Sequence, residues 1–311
     1  LMNGMQALVR LVIEQADADK AAGLRTGGYV SGYRGSPIGG FDMELFRNKA
    51  ELEPRNVVFN PGLNEDLAAT AVGGTQTLTE IDDPTVEGIF ALWYGKGPGV
   101  DRSMDAIRHV ALAGTTEKGG VVFLLGDDPL CKSSTTAHQS EQAMIHASIP
   151  VVFPASVHEY VPLGMHAIAM SRFSGAPVAY KIVTDTADSA ATVLLDRLRP
   201  EITLPEKPEF EVSLNFVPGL VPYLVQERRL AARLEACKRY ARANRLNATV
   251  FEPPAVAPKR LGIVAVGKGY ADASAALRLL GLTDAEAAAK GIGLYRMQMV
   301  WPVEEESLLA F

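Results

Sequence analysis

The sequence predicts an α/β protein, a doubly wound parallel sheet followed by the start of a second α/β unit. Three observations carry this. VVFLLGDD at 121–128 is a continuous apolar run stopping at Gly126, the pattern of a parallel strand covered on both faces. Short β-leaning runs alternate with segments of helical spacing from residue 5 to residue 185. Loops rich in Gly and Pro follow the strands, where doubly wound sheets gather their ligands.

Taken in order, residues 5–24 place apolar side chains at helical spacing and leave through a Gly-rich exit, which predicts a helix. GYVSG at 28–32 reads as a strand, and YRGSPIGG opens a loop before a helix over 41–51. Residues 57–59 form a second strand, after which Asn64 caps a helix whose first residues are Glu65 and Asp66. A strand at 88–93, a Gly-rich loop at YGKGPGVD and a helix from 103 to 113 precede the strand at 121–128. PVVFP at 150–154, a helix at 158–172 and PVAYKIVTD at 177–185 complete the first unit. Five prolines break up 200–222, and 223–247 reads as an Arg-rich amphipathic helix with its charges on a solvated face. After the PPAVAPK linker, strand, Gly turn and helix recur from Lys259. The expected organisation is 1–199, a connection with a basic helix over 200–258, and an incomplete second unit over 259–311.

Composition excludes several classes. A net charge of -6 with scattered basic residues leaves no electrostatic footprint for nucleic acid or an anionic membrane surface. No apolar run approaches the ~20 residues that cross a bilayer. Two cysteines, Cys131 and Cys237, form no CxxC pair, so no disulfide framework, zinc site or iron–sulfur site is expected from this stretch, and a reducing cytoplasmic setting is. The chain starts at Leu1 rather than Met and ends at Phe311 inside an apolar segment, which predicts a piece of something longer.

Several stretches could carry chemistry. SGYRGSP at 31–37 offers Ser31, Arg34 and Ser36 as donors to an anion, or serves only as a turn. YGKGPGVDR matches neither GxxxxGK[ST] nor GxGxxG, and GKGY at 267–270 lacks a third Gly and the acidic partner of a dinucleotide site. GDDPLCKSSTTAHQSEQ holds Asp127, Asp128 and His138, which could ligate a metal, yet the same residue types build loops and helix caps. Glu65 by itself reads as an acidic residue in a helix first turn.

In order, GYVSGYRGSPIGGFD, NPGLNEDLAATAVGGTQ, YGKGPGVDRSMDAIRH, LLGDDP, KSST and HQSE resemble the amino-terminal part of the large, fused indolepyruvate ferredoxin oxidoreductases. These are members of the 2-oxoacid:ferredoxin oxidoreductase superfamily. The resemblance implies a pyrimidine-binding domain for thiamine diphosphate, followed by a transketolase carboxy-terminal-like domain beginning at KRLGIVAVGKGY. It implies that Glu65 pairs with the aminopyrimidine ring of the cofactor. A carboxyl group hydrogen-bonded to N1′ favours the imino tautomer, whose nitrogen removes the C2 proton of the thiazolium. Burial beside the ring is expected to outweigh the helix N-terminus in setting the Glu65 carboxyl, in the assembled site only.

The resemblance further places Ser36 beside cofactor and substrate, Arg34 on the substrate carboxylate, and Ser133, Ser134, His138 and Gln139 along the same crevice. Leu130 and Cys131 are bulkier than the small residues expected at that turn, and Cys131 would be oxidisable if exposed. Magnesium with the diphosphate group, and the [4Fe-4S] clusters, are expected in other parts of the long chain. The implied reaction is oxidative decarboxylation of an arylpyruvate with coenzyme A and ferredoxin, in a dimer whose diphosphate-binding domain meets the face bearing Glu65. A non-catalytic assembly module and a nucleotide-binding domain are the competing readings.

Overall fold

The computed structural model describes residues 1–131, 136–219 and 221–311. In chain order its elements begin with β1 (Met2–Asn3), α1 (Gly4–Ala21), β2 (Thr26–Gly32), α2 (Phe41–Arg47), α3 (Lys49–Leu52), β3 (Val57–Phe59) and α4 (Glu65–Gly74). There follow β4 (Gly88–Lys96), α5 (Gly97–Ala113), β5 (Val121–Asp127), α6 (Ser140–His146), β6 (Val151–Val152), α7 (Val157–Ser174), β7 (Val178–Val183), α8 (Thr184–Ala187) and β8 (Ala190–Ala191). The last are α9 (Tyr223–Ala243), β9 (Asn247–Phe251), β10 (Leu261–Val266), α10 (Gly267–Leu279), α11 (Asp284–Ala289), β11 (Ile292–Met297), β12 (Met299–Trp301) and α12 (Glu305–Ala310).

The main sheet has seven strands in the order β12-β6-β7-β5-β4-β2-β3, parallel except for β12. Residues of its central strands alternate between two apolar layers. Phe90, Leu92, Tyr94, Val122 and Leu124 face α1, α2 and α7, whereas Ala91, Trp93, Val121, Phe123 and Leu125 face α4, α5 and α6. Burial on both faces is why β5 reads as an unbroken apolar run. A second, three-stranded sheet, β10-β11-β9, follows, and β12 returns from it to the edge of the main sheet against β6.

Three expectations are corrected. The anticipated loop at YGKGPGVD does not form: β4 continues to Lys96 and α5 starts at once, with Pro98 in its first turn. Proline there presets the helical φ and gives up an N–H that no helical partner would have met. The expected helix over 41–51 divides at Asn48 into α2 and α3. The charges of α9 are not all solvated, because Arg229 and Arg233 are buried and donate to backbone carbonyls, and the helix ends at Ala243, leaving room for β9.

Where α7 meets α9, His166 is 8% exposed and its Nδ1 lies 3.0 Å from the Tyr240 hydroxyl. Burial lowers its pKa from 6.5 to about 4. Unfolded chains therefore take up a proton first as pH falls, so the stability that neutral His166 contributes is complete above pH 6.5 and is lost between 6.5 and 4. That loss amounts to roughly 3 kcal/mol. Chemical denaturation of His166→Asn should show a correspondingly flatter acid limb than the parent protein; identical limbs would refute the assignment.

Candidate functional site

The carboxyl ends of β2, β3, β4 and β5 lie side by side, so residues 33–40, 60–64, 96–97, 128–131 and 136–139 gather along one rim of the sheet. Glu65 opens α4 at this rim. Asn64 caps the helix by accepting the Leu67 N–H at 2.9 Å, which fixes where the first turn points. The indole N–H of Trp93, itself wholly buried, donates to the Glu65 carbonyl at 2.9 Å. A donor from the central strand thus holds the backbone of the acidic residue in place. Among the described residues, the Glu65 carboxylate has no side-chain hydrogen bond or ion pair, and the residue is half-buried.

Close approach of α5 completes the setting. A Cβ on Gly99 would stand 2.6 Å from Glu65 Cγ and 2.9 Å from its Oε1, so only glycine lets the helix start lie against this carboxyl group. His138 covers the same helix start, its ring against Gly97, with Nε2 3.2 Å from Asp101 Oδ2 and Nδ1 3.1 Å from the Thr136 carbonyl. Glu65 at Gly99 and His138 at Gly97 thus lie on different sides of the first turn of α5, whose N–H groups carry positive partial charge, with Asp101 beside His138.

Loop 33–40 reaches the same place from β2. Ile38 is buried, and it and Pro37 cover Gly126 at the end of β5. Lys96 lies across Gly35, where a Cβ would come within 2.9 Å of its Cγ and Cδ. Ser36 is half-buried between these anchors. Arg34 is exposed, and its charge bears on Asp42, whose carboxyl burial raises, and on the buried Tyr94 phenol. Gln139 is also exposed, and its side chain accepts from Gln142. Ser133 and Ser134 lie outside the described residues.

The possible metal set from Asp127, Asp128 and His138 is not assembled. Asp127 accepts from the Ser140 hydroxyl at 2.5 Å and its N–H at 3.0 Å, and lies 3.2 Å from Lys181, which also pairs with Glu141 at 2.5 Å. Burial raises the Asp127 carboxyl against the opposing effects of Lys181 and Ser140. Its task is to fasten the start of α6. Among the described residues no group of three His, Cys, Asp or Glu side chains could hold a metal ion. Cys131 is partly exposed and adopts φ 53°, in a turn closed by its N–H on the Asp128 carbonyl.

Sequence reasoning missed Trp93, Lys96, Gly99 and Asp101. Their common signal was the stretch YGKGPGVD with its preceding Trp, whose glycines read as a loop while they serve helix contacts.

Residues 255–311 match the family described as indolepyruvate oxidoreductase domain. The chain is 25% identical over 276 residues to the indolepyruvate oxidoreductase subunit IorA of Methanothermobacter marburgensis, covering 88% of this chain and 41% of that protein. It is 27% identical over 200 residues to IorA of Pyrococcus horikoshii, covering 63% of this chain and 30% of that one. The chain thus spans less than half the length of these relatives. Among solved structures, 2-oxoglutarate:ferredoxin oxidoreductase from Magnetococcus marinus, with 2-oxoglutarate, coenzyme A and succinyl-CoA bound, superposes with a TM-score of 0.60. It covers 97% of this chain and 55% of that one at 14% identity, a likeness of fold.

Proposed function

We propose that this chain is the amino-terminal part of a thiamine diphosphate-dependent indolepyruvate ferredoxin oxidoreductase. On this reading residues 1–199 form the pyrimidine-binding domain and 259–311 begin the transketolase carboxy-terminal-like domain. The observation that carries it is the Glu65 carboxylate, unpartnered among the described residues and held at the crevice rim by Asn64, Trp93 and Gly99. A carboxyl group so presented suits a heteroaromatic ring that offers one nitrogen to hydrogen-bond, while the small residues of α4 behind it, Ala68, Ala69 and Gly73, let α5 pack close.

When bound, thiamine diphosphate supplies the nucleophilic carbon and the electron sink for decarboxylating a 2-oxo acid. The chain's own residues have narrower tasks. Glu65 shares a proton with the ring nitrogen, Trp93 and Gly99 fix its position, and Ser36 offers a hydroxyl to cofactor and substrate. Arg34 adds positive charge on the substrate loop, and His138 and Gln139 border the crevice and limit its water; the resemblance gives Ser133 and Ser134, outside the described residues, the same role. Magnesium with the diphosphate group, and the [4Fe-4S] clusters that pass electrons to ferredoxin, belong on this reading to other parts of the protein. The partners are that diphosphate-binding domain, ferredoxin, an aryl 2-oxo acid and coenzyme A, within a cytoplasmic dimer.

Calorimetry on the full-length protein tests the reading. Thiamine diphosphate with magnesium should bind, and adenine nucleotides should not. Gly99→Ala, whose methyl group displaces the Glu65 side chain, should bind the cofactor about tenfold to a hundredfold more weakly, as expected for losing a hydrogen bond to a charged group. Equal affinity for the variant, or tight nucleotide binding by the parent, would overturn it.

A further inference from the structure

We propose that Lys96, rather than Arg34, is the cation that receives the carboxylate of the 2-oxo acid; this rests on the function proposed above. Lys96 is the last residue of β4 and the N-cap of the seventeen-residue α5. Its stem lies on Gly35, next to Ser36, and the three residues that follow it lead to the Glu65 contact at Gly99. It therefore stands between the substrate loop and the carboxyl group that governs the cofactor ring.

Its charge is uncommitted. Among the described residues Lys96 takes part in no ion pair or side-chain hydrogen bond, and its side chain does not cap α5. Arg34 likewise makes no ion pair or side-chain hydrogen bond among the described residues, but it is exposed to solvent, where a charge is screened and binds a small anion weakly, whereas Lys96 is half-buried. A lysine at a helix N-terminus sits against the positive end of the dipole, an arrangement that is unfavourable without an anion. The same two positive contributions become favourable together once a carboxylate enters. A stem already packed against Gly35 also leaves less rotamer freedom to lose on binding. Placement, partial burial and local electrostatic conflict all point to a small anion at Lys96.

The test uses the full-length holoenzyme with Lys96→Met, Lys96→Arg and Arg34→Gln. Steady-state kinetics with indolepyruvate should give Lys96→Met a KM raised roughly 10- to 100-fold, the loss expected of a charge-assisted hydrogen bond. Its kcat should change much less, and Lys96→Arg should recover part of the KM. Calorimetry with indole-3-propionate, which carries the carboxylate but no 2-oxo group, should show the same ranking without turnover. Thermal unfolding should find Lys96→Met at least as stable as the parent, because a misplaced cation has gone, whereas a merely structural lysine would leave a less stable protein. An unchanged KM for Lys96→Met, or a larger rise for Arg34→Gln, with thiamine diphosphate still bound, overturns this inference alone. Failure of the parent protein to bind thiamine diphosphate overturns the proposed function and this inference together.

Discussion

Replacing Glu65 by Gln in the full-length enzyme should lower turnover of an arylpyruvate by about 10²- to 10⁴-fold, the range for losing a positioned proton-transfer group. The amide keeps the size and the hydrogen-bonding capacity of the side chain but cannot exchange a proton with a ring nitrogen. Folding should change little. The side chain is half-buried, it pairs with no charged neighbour among the described residues, and the cap of α4 belongs to Asn64. The Glu65 carbonyl accepts the Trp93 N–H through the backbone, so that bond survives the substitution. Loss of a charge from the first turn of a helix costs about 0.3–1 kcal/mol. Asp66→Asn is the control, because it removes an equivalent charge from the next position of the same turn. Its turnover should stay near that of the parent. Ferredoxin-coupled assays with thermal unfolding on the same samples decide the matter. Unchanged turnover for Glu65→Gln would instead favour a domain kept for assembly.

Much of this arrangement is legible from sequence because it follows from local patterns. The unbroken apolar run of β5 announces a strand covered on both faces, and Asn64 before two acidic residues announces the start of α4. That start places Glu65 at the end of a parallel sheet, where chemistry gathers. What sequence conceals is contact between distant backbones and side chains. Gly97 and Gly99 belong to a helix, yet with Pro98 between them they have the composition of a loop. Their value lies in the His138 ring and the Glu65 carboxyl group that press on them, from residues far off in the chain. The bond from Trp93 to Glu65 is likewise invisible, since an indole in an apolar strand looks like ordinary core. Arg229 and Arg233 mislead for a related reason. Arginines in an amphipathic, charge-rich helix read as solvated, but their partners here are carbonyl oxygens, which every residue type carries.

Arg233 supplies the second large expected effect, one of stability. Its Nε donates to the Leu214 carbonyl at 2.7 Å, and its terminal nitrogens donate to the carbonyls of Ala111, Leu112 and Ala113 at 2.6, 3.2 and 3.2 Å. Those three are the last carbonyls of α5, which lack helical partners and carry the negative end of the dipole. Burial, and then repulsion from Arg229, push the Arg233 guanidinium down to about 9, which reflects the cost of bringing this charge inside. The planar fork offsets that cost by reaching several acceptors at once. In Arg233→Met, four carbonyls, those of Leu214 and Ala111 buried and those of Leu112 and Ala113 partly so, lose a donor while the stem is replaced by apolar volume. The expected destabilisation is about 3–5 kcal/mol, as when one side of a buried charged network is removed. Arg233→Lys, with one compact ammonium in place of the fork, should fall between the two. Denaturant unfolding gives the magnitude, and hydrogen exchange should locate the early loss at the carboxyl end of α5. The opposite end of that helix bears Lys96 and the Gly99 contact with Glu65, so cofactor affinity of the still-folded variant should weaken far less than its stability. A loss below about 1 kcal/mol, the level of an exposed pair, would mean that water satisfies these carbonyls and that the guanidinium does not hold α5 in place.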